Sequence, residues 1–140
     1  MTPRFVAGAL LLVAGALLRL WTYRALGALF TFEVSLKDKH TLVTSGPYAF
    51  VRHPSYTAIW TCVFGAHLAY YGPDEYLRAC GAMDTGVRWL AYVWQAVALF
   101  DCVSVWRRGA VEDGVLKGRF GAAWEEYRRK VPYRFVPYVM

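Results

Sequence analysis

The sequence predicts an all-α, polytopic membrane protein, with about three transmembrane helices and a cytosolic helical C-terminal segment. Three observations carry this expectation. Hydrophobic residues make up 57% of the 140 and charged residues only 19%, both away from the balance of an ordinary soluble domain. Three apolar segments approach the roughly 20 residues that a spanning helix needs. Basic residues are unevenly spread, with four Lys/Arg in 22–56, eight in 107–140 and only Arg78 in 73–86, which is the positive-inside asymmetry. The length allows one domain, residues 1–140.

The first apolar segment is FVAGALLLVAGALLRLW, residues 5–21. Arg19 interrupts it late and can snorkel to the surface. The run at 5–18 has no small-residue cleavage site with a mature domain behind it, so it is expected to be retained. The second segment is TAIWTCVFGAHLAYYG, residues 57–72, with His67 inside. The third is WLAYVWQAVALFDCVSVW, residues 89–106, with Gln95 and Asp101 inside. Six Trp and ten Tyr add aromatic weight, many of them flanking the apolar runs as interfacial belts do. Buried soluble helices are the competing reading. The charge asymmetry and the little polar surface left to cover such a core count against it.

With three spans, the 22–56 loop and the 107–140 tail fall on one basic side, which in a cell is the cytosol. The net charge of +6 is therefore read as membrane topology, and no nucleic-acid partner is expected. Tyr127-Arg128-Arg129-Lys130 reads as a solvated or lipid-headgroup face. The tail is expected to be helical, with Val111, Val115, Leu116, Phe120 and Trp124 at roughly helical spacing. Gly114, Gly118 and Gly121 mark a possible bend, and the prolines of VPYRFVP end the helix. Cys62, Cys80 and Cys102 lack metal-type spacing and are read as free thiols. No metal is expected.

Residues 44–56, TSGPYAFVRHPSY, are the most bent and polar stretch. Pro47 and Pro54 each fit the first turn of a helix, where the missing N–H costs nothing. Ser45-Gly46 then reads as a turn and 47–52 as a short helical turn, with His53 at the head of the second span. A helix N-terminus carries partial positive charge and free N–H groups. With Arg52 and His53 beside it, this is a site for a carboxylate or phosphate, and Tyr48 and Tyr56 add aromatic walls and hydroxyls. A capped interfacial helix start without a ligand accounts for the same residues. If the third span continues past residue 106, Asp101, Arg108 and Glu112 fall within about 40° of one another on one helix face. A local ion pair of Arg108 with Glu112 explains two of the three.

HTLVTSGPYAFVRHPSY (40–56), Arg108-x-x-x-Glu112-Asp113 and FGAAWEEYRRKVPYRFVP (120–137) together resemble the isoprenylcysteine carboxyl methyltransferase family. The resemblance covers about residues 20–137, and the 18–46 region is similar to fungal members. It implies a single membrane-embedded methyltransferase domain in the endoplasmic reticulum membrane, with its active site facing the cytosol. The implied cofactor is S-adenosylmethionine, and the implied reaction is methylation of the C-terminal carboxylate of prenylated CaaX proteins. By the resemblance, the cofactor is held by His40, Thr41, Leu42, Val43, Tyr48, His53, Pro54, Ser55, Tyr56 and Glu112. Glu33 stands where the family has a cofactor-touching amide. Arg108 matches the arginine that faces the substrate carboxylate and is the expected catalytic residue.

The chain departs from the family pattern at Ala58 (usually Gly), Trp124 (Tyr) and Asp113 (Glu), none of which touches a carried-over residue. It is also shorter than eukaryotic members, as either a compact form or the trimmed catalytic core of a longer architecture would be. A carboxylate acceptor is already an anion and needs no general base. A guanidinium can fix it by a bidentate pair where water is scarce, aligned with an activated methyl. The prenyl tail would enter laterally between the spans. A Rossmann-type methyltransferase is excluded by the missing G-x-G-x-x-G and the lack of room for its sheet. Three alternatives stay open: a phospholipid N-methyltransferase of the same fold, an NADPH-dependent sterol-type reductase sharing the GPY…RHPxY block, and a non-catalytic membrane protein. The oligomeric state is not legible in the sequence.

Overall fold

The computed structural model describes residues 2–29, 41–72 and 76–139. All regular structure among them is helical: α1 (Pro3–Leu26), α2 (Pro54–Tyr70), α3 (Tyr76–Ala79), α4 (Arg88–Phe120) and α5 (Ala122–Lys130), with short 3₁₀ turns between. The chain divides into two compact units, residues 1–17 with 58–104 and residues 18–57 with 105–140.

α1 is an Ala/Leu run that Gly8 and Gly15 do not interrupt. Pro3 stands in its first turn, and Thr2 Oγ1 accepts the Phe5 N–H at 3.1 Å as an N-cap. It stops at Gly27, whose φ of 52° ends helices at little cost. Pro54 opens α2 in the same way. α4 runs unbroken for 33 residues, so the condition set in the sequence reading, that the third apolar segment continues as helix past residue 106, is met. It stops at Gly121, φ 51°, which is therefore the bend, while Gly114 and Gly118 lie inside the helix. α5 carries Glu125 in its first turn and Arg128, Arg129 and Lys130 in its last, the arrangement that suits the helix dipole.

In the first unit, α1 and α2 meet backbone to backbone. A Cβ on Gly8 would lie 2.6 Å from the Gly65 carbonyl oxygen and 2.7 Å from Ala69 N, and one on Gly65 would lie 2.8 Å from Gly8 O. Ala58, Cys62, Gly65 and Ala69 recur every three or four residues on the α2 side of this seam, which is how helices pack where burying apolar surface supplies no drive. Most other side chains of α1 and α4 face outward, Leu10, Leu17, Leu90 and Phe100 among them. Both helices are long and apolar enough to cross a membrane, and their outward surfaces suit a bilayer better than water. At 17 residues α2 falls short of the roughly 20 of a full span. Two helices, rather than the three expected, thus meet the length and hydropathy of a span among the described residues.

In the second unit the core is aromatic. Trp124, Tyr127 and Val131 are buried together, with Leu42, Leu116 and Phe120 packed on them. Leu116, Phe120 and Trp124 meet in this core as the tail spacing expects, whereas Val111 of the same stripe is exposed and Gly121 places Trp124 on a separate helix. Arg19 reaches toward the C-terminal end of α1, where its guanidinium lies 5.3 Å from the Tyr23 ring.

Candidate active site

The polar residues of the second unit converge on the turn before α2. Gly46 has φ 62°, a conformation that favours glycine, and opens a 3₁₀ turn, Gly46–Ala49. The turn leads to Arg52 and His53, which are 7% and 6% exposed. Their backbone N–H groups donate to the carbonyls of Tyr133 (2.9 Å) and Arg134 (2.8 Å). The tail after α5 is thereby strapped along this segment, and Tyr127 adds a bond from its hydroxyl to the Tyr48 carbonyl at 2.8 Å.

Two adjacent carboxylates of α4 face these residues. Asp113 Oδ1 lies 2.9 Å from His53 Nε2. Asp113 Oδ2 accepts from Arg134 Nε at 2.8 Å and from the Arg52 guanidinium at 3.3 Å. Arg52 also donates to the Val131 and Pro132 carbonyls, at 2.9 and 2.6 Å. Glu112 Oε1 accepts from the Tyr56 hydroxyl at 2.6 Å and from Arg108 Nε at 2.9 Å, while Oε2 lies 3.4 Å from His53 Nδ1. The His53 imidazole thus spans two carboxylates. Burial pushes it toward the neutral form, but the bonds to Asp113 and Glu112 and their charges outweigh burial and hold its pKa above the ordinary histidine value. Burial likewise pushes the Tyr48 and Tyr127 phenols well above the ordinary tyrosine value.

Aromatic rings wall the cluster. His53 stacks on Tyr56, with centroids 5.6 Å apart, and Phe135, 1% exposed, packs against His53 and Trp106 at 5.7 and 5.5 Å. Gly109 makes room for it, since a Cβ there would lie 2.6 Å from Phe135 Cζ. Three guanidiniums (Arg52, Arg108, Arg134) against two carboxylates leave this cluster one positive charge in excess, and two when His53 is protonated.

The structure therefore brings together Tyr56, His53, Glu112 and Arg108, as the sequence implies. Tyr48 and Pro54 lie on the same segment. Thr41 is exposed and Val43 and Ser55 are half-buried outside the network, while Leu42 packs in the Trp124 core. Glu33 and His40 lie outside the described residues. Asp101 is exposed and belongs to the first unit. Two expectations change. Arg52 and His53, read as a site for an incoming anion, face the chain's own carboxylates, because burying both without counter-charges would be costly. Asp113, set aside as a departure that touches no site residue, bonds directly to His53 and is the hub of the cluster. Arg134 was also missed: it follows a helix-ending proline, and no local pattern ties it to residue 113. The adjacent carboxylates Glu112-Asp113 were the one available signal for Asp113.

The donor set fits S-adenosylmethionine. Glu112 keeps acceptor capacity on Oε2 for amino or hydroxyl groups, and Tyr48, Tyr56 and Phe135 offer aromatic surface.

Two helices of spanning length and a charged interhelical cluster define a helical membrane-type protein with an enzyme-like site. The isoprenylcysteine carboxyl methyltransferase (ICMT) family model matches residues 8–73. Protein-S-isoprenylcysteine O-methyltransferase of Homo sapiens is 32% identical over 91% of this chain and 39% of its own length. The enzyme of the same name from Schizosaccharomyces pombe is 29% identical over 66% of this chain and 32% of its own. A Delta(14)-sterol reductase of Mus musculus is 30% identical over 70% of this chain and 19% of its own. The chain spans about two-fifths of the human relative or less of the other two. No solved structure matches with significance. The family model matches a little under half of the chain and the human relative aligns with 91% of it, so the chain is similar to the isoprenylcysteine carboxyl methyltransferase family.

Proposed function

We propose that the protein methylates the C-terminal carboxylate of prenylated cysteine in CaaX proteins, using S-adenosylmethionine. In this reading residues 1–140 act as one methyltransferase domain of the endoplasmic reticulum membrane, with α1, α2 and α4 as three spans and the cluster on the cytosolic side. Glu112 is the observation that carries the proposal. Its carboxylate joins Tyr56 and His53 of one motif block to Arg108 of the other, across more than fifty residues of sequence. S-adenosylmethionine, when bound, supplies a methyl already activated by its sulfonium.

The chain's own residues then have defined tasks. Tyr48, Tyr56 and Glu112 bind the cofactor, with His40–Val43, Pro54, Ser55 and Glu33 as further cofactor residues. His53 fixes the Glu112 carboxylate from behind. Glu112 orients the Arg108 guanidinium. Arg108 binds the substrate carboxylate and aligns it as nucleophile, and the net positive charge of the cluster favours an anionic acceptor. The acceptor is deprotonated at neutral pH, so no residue has to remove a proton.

Transfer of labelled methyl from S-adenosylmethionine to N-acetyl-S-farnesylcysteine, in membranes containing the chain, tests this. Base-labile volatile product is expected. Its absence while S-adenosylhomocysteine still raises thermal stability would move the acceptor to another lipid, such as a phospholipid amine. The sterol reductase relative motivates a second arm: stabilisation by NADPH and not by S-adenosylhomocysteine would replace the proposal with a reductase.

A further inference from the structure

One polar pair stands among the apolar side chains of the first unit. Gln95 Nε2 lies 2.9 Å from His67 Nδ1. An amide nitrogen can only donate, so Nδ1 accepts and the ring hydrogen sits on Nε2. Tyr71 stacks on the imidazole, with centroids 5.5 Å apart and planes 9° apart, and fixes its orientation. The Tyr71 hydroxyl also reaches the Ala91 carbonyl at 3.4 Å. The pairings 67 with 95 and 71 with 91 make α2 and α4 antiparallel in this stretch.

The pair borders an open groove of about 290 Å³ between the two helices. Trp60, Val63, Phe64 and His67 line it from α2, and Gln95, Ala98, Leu99 and Cys102 from α4. Both sets follow i, i+3, i+4, i+7, so each wall is a stripe about 10 Å long. The antiparallel register puts His67 and Gln95 at one end and Trp60 and Cys102 at the other. The groove is thus polar at one end, apolar along its length, and open at the side beside the exposed Phe64 and Leu99.

We propose that this groove binds a single-chain lipid alcohol. The His67 Nε2–H is a donor and Gln95 Oε1 an acceptor. Neither makes another hydrogen bond among the described residues, and together they complement a hydroxyl, which is both donor and acceptor. The hydrocarbon chain runs toward Trp60 and Cys102. A volume at the low end of ligand pockets, roughly 300–1,000 Å³, suits one chain rather than two. The inference rests on the reading that α2 and α4 lie in the bilayer.

The test uses the full chain in lipid nanodiscs with hexadecanol and hexadecane carrying the same diazirine, and labelled peptides are mapped by mass spectrometry. The alcohol is expected to label residues 60–67 or 95–102 about fivefold more than the alkane, as one net hydrogen bond implies. Unlabelled hexadecanol should compete, and Gln95→Leu should remove the excess. His67→Phe, which keeps a flat ring against Tyr71, gives the same reading if Gln95→Leu fails to fold. Equal labelling by alcohol and alkane, or an excess that survives either variant, overturns the proposal. Carbonate extraction separates the two readings: release of the chain from membranes sinks the bilayer placement, whereas retention with equal labelling sinks only the alcohol site. Neither outcome depends on methyl transfer.

Discussion

The two units solve burial in opposite ways. In residues 1–17 and 58–104, side chains shrink to glycine and alanine so that backbones touch, large apolar groups face outward, and His67–Gln95 is the polar contact that spans the groove. In residues 18–57 and 105–140, large aromatics fill the interior, and Arg52, His53 and Asp113 are buried beside them. Close packing of small residues needs only helix contact. A buried ionic cluster needs every partner present, since removing one strands a charge. The second unit should therefore be the more fragile to a single polar substitution, and the first to added bulk.

Asp113→Ala is the sharpest break. It leaves Arg52, Arg134 and His53 without their shared counter-charge, and a loss of about 3–5 kcal/mol is expected for a broken buried pair, read as a large drop in detergent-phase thermal midpoint. A fall no larger than that of a surface variant would deny the cluster its role. Arg108→Ala acts on function instead. Methyl transfer to farnesylcysteine should fall by about 10²-fold or more, the scale of a lost transition-state donor, with S-adenosylhomocysteine binding nearly unchanged; equal loss of both would refute the assignment.

Gly65→Ala probes the first unit. Its Cβ would press on Gly8 O and Leu12 N, and overpacking of this kind costs about 1–3 kcal/mol. An unchanged midpoint would mean that the α1–α2 seam is loose. The pH dependence is gentler. His53 has its pKa raised on folding, so its contribution is fully present below the unfolded histidine value of about 6.5 and is lost as pH rises through the folded value. The thermal midpoint should decline over that range, and His53→Gln should flatten the decline. Lys130→Ala is the smallest change. Its exposed pair with Glu126 at 2.7 Å should leave the midpoint unaltered within error, as exposed pairs usually do.

Much of the helix content was legible because it is local. Leu/Ala runs, Pro47 and Pro54 in first turns and the tail spacing of Leu116, Phe120 and Trp124 each act within a few residues. The joining of His53, Tyr56, Arg108 and Glu112 was legible through resemblance to a family whose motif blocks occur in this order. Asp113 was misjudged because consecutive helical residues point about 100° apart, and nothing in the sequence says that His53 lies between them. Arg134 and the strap of residues 131–135 were invisible for the same reason: their partners at 52, 53 and 113 lie 21 to more than 80 residues away.

By itself, then, the sequence determined the all-helical character, the apolar helices, the helix starts and stops and the residue types of the site, since propensity, capping and hydropathy act over a few residues of chain. The tertiary structure decided which charges neutralise one another, that Asp113 rather than an open space faces Arg52 and His53, and that His67 meets Gln95 across a groove. Those outcomes depend on register between helices distant in sequence, and register is set by packing: Gly109 under Phe135 in one unit, Gly8 against Gly65 in the other.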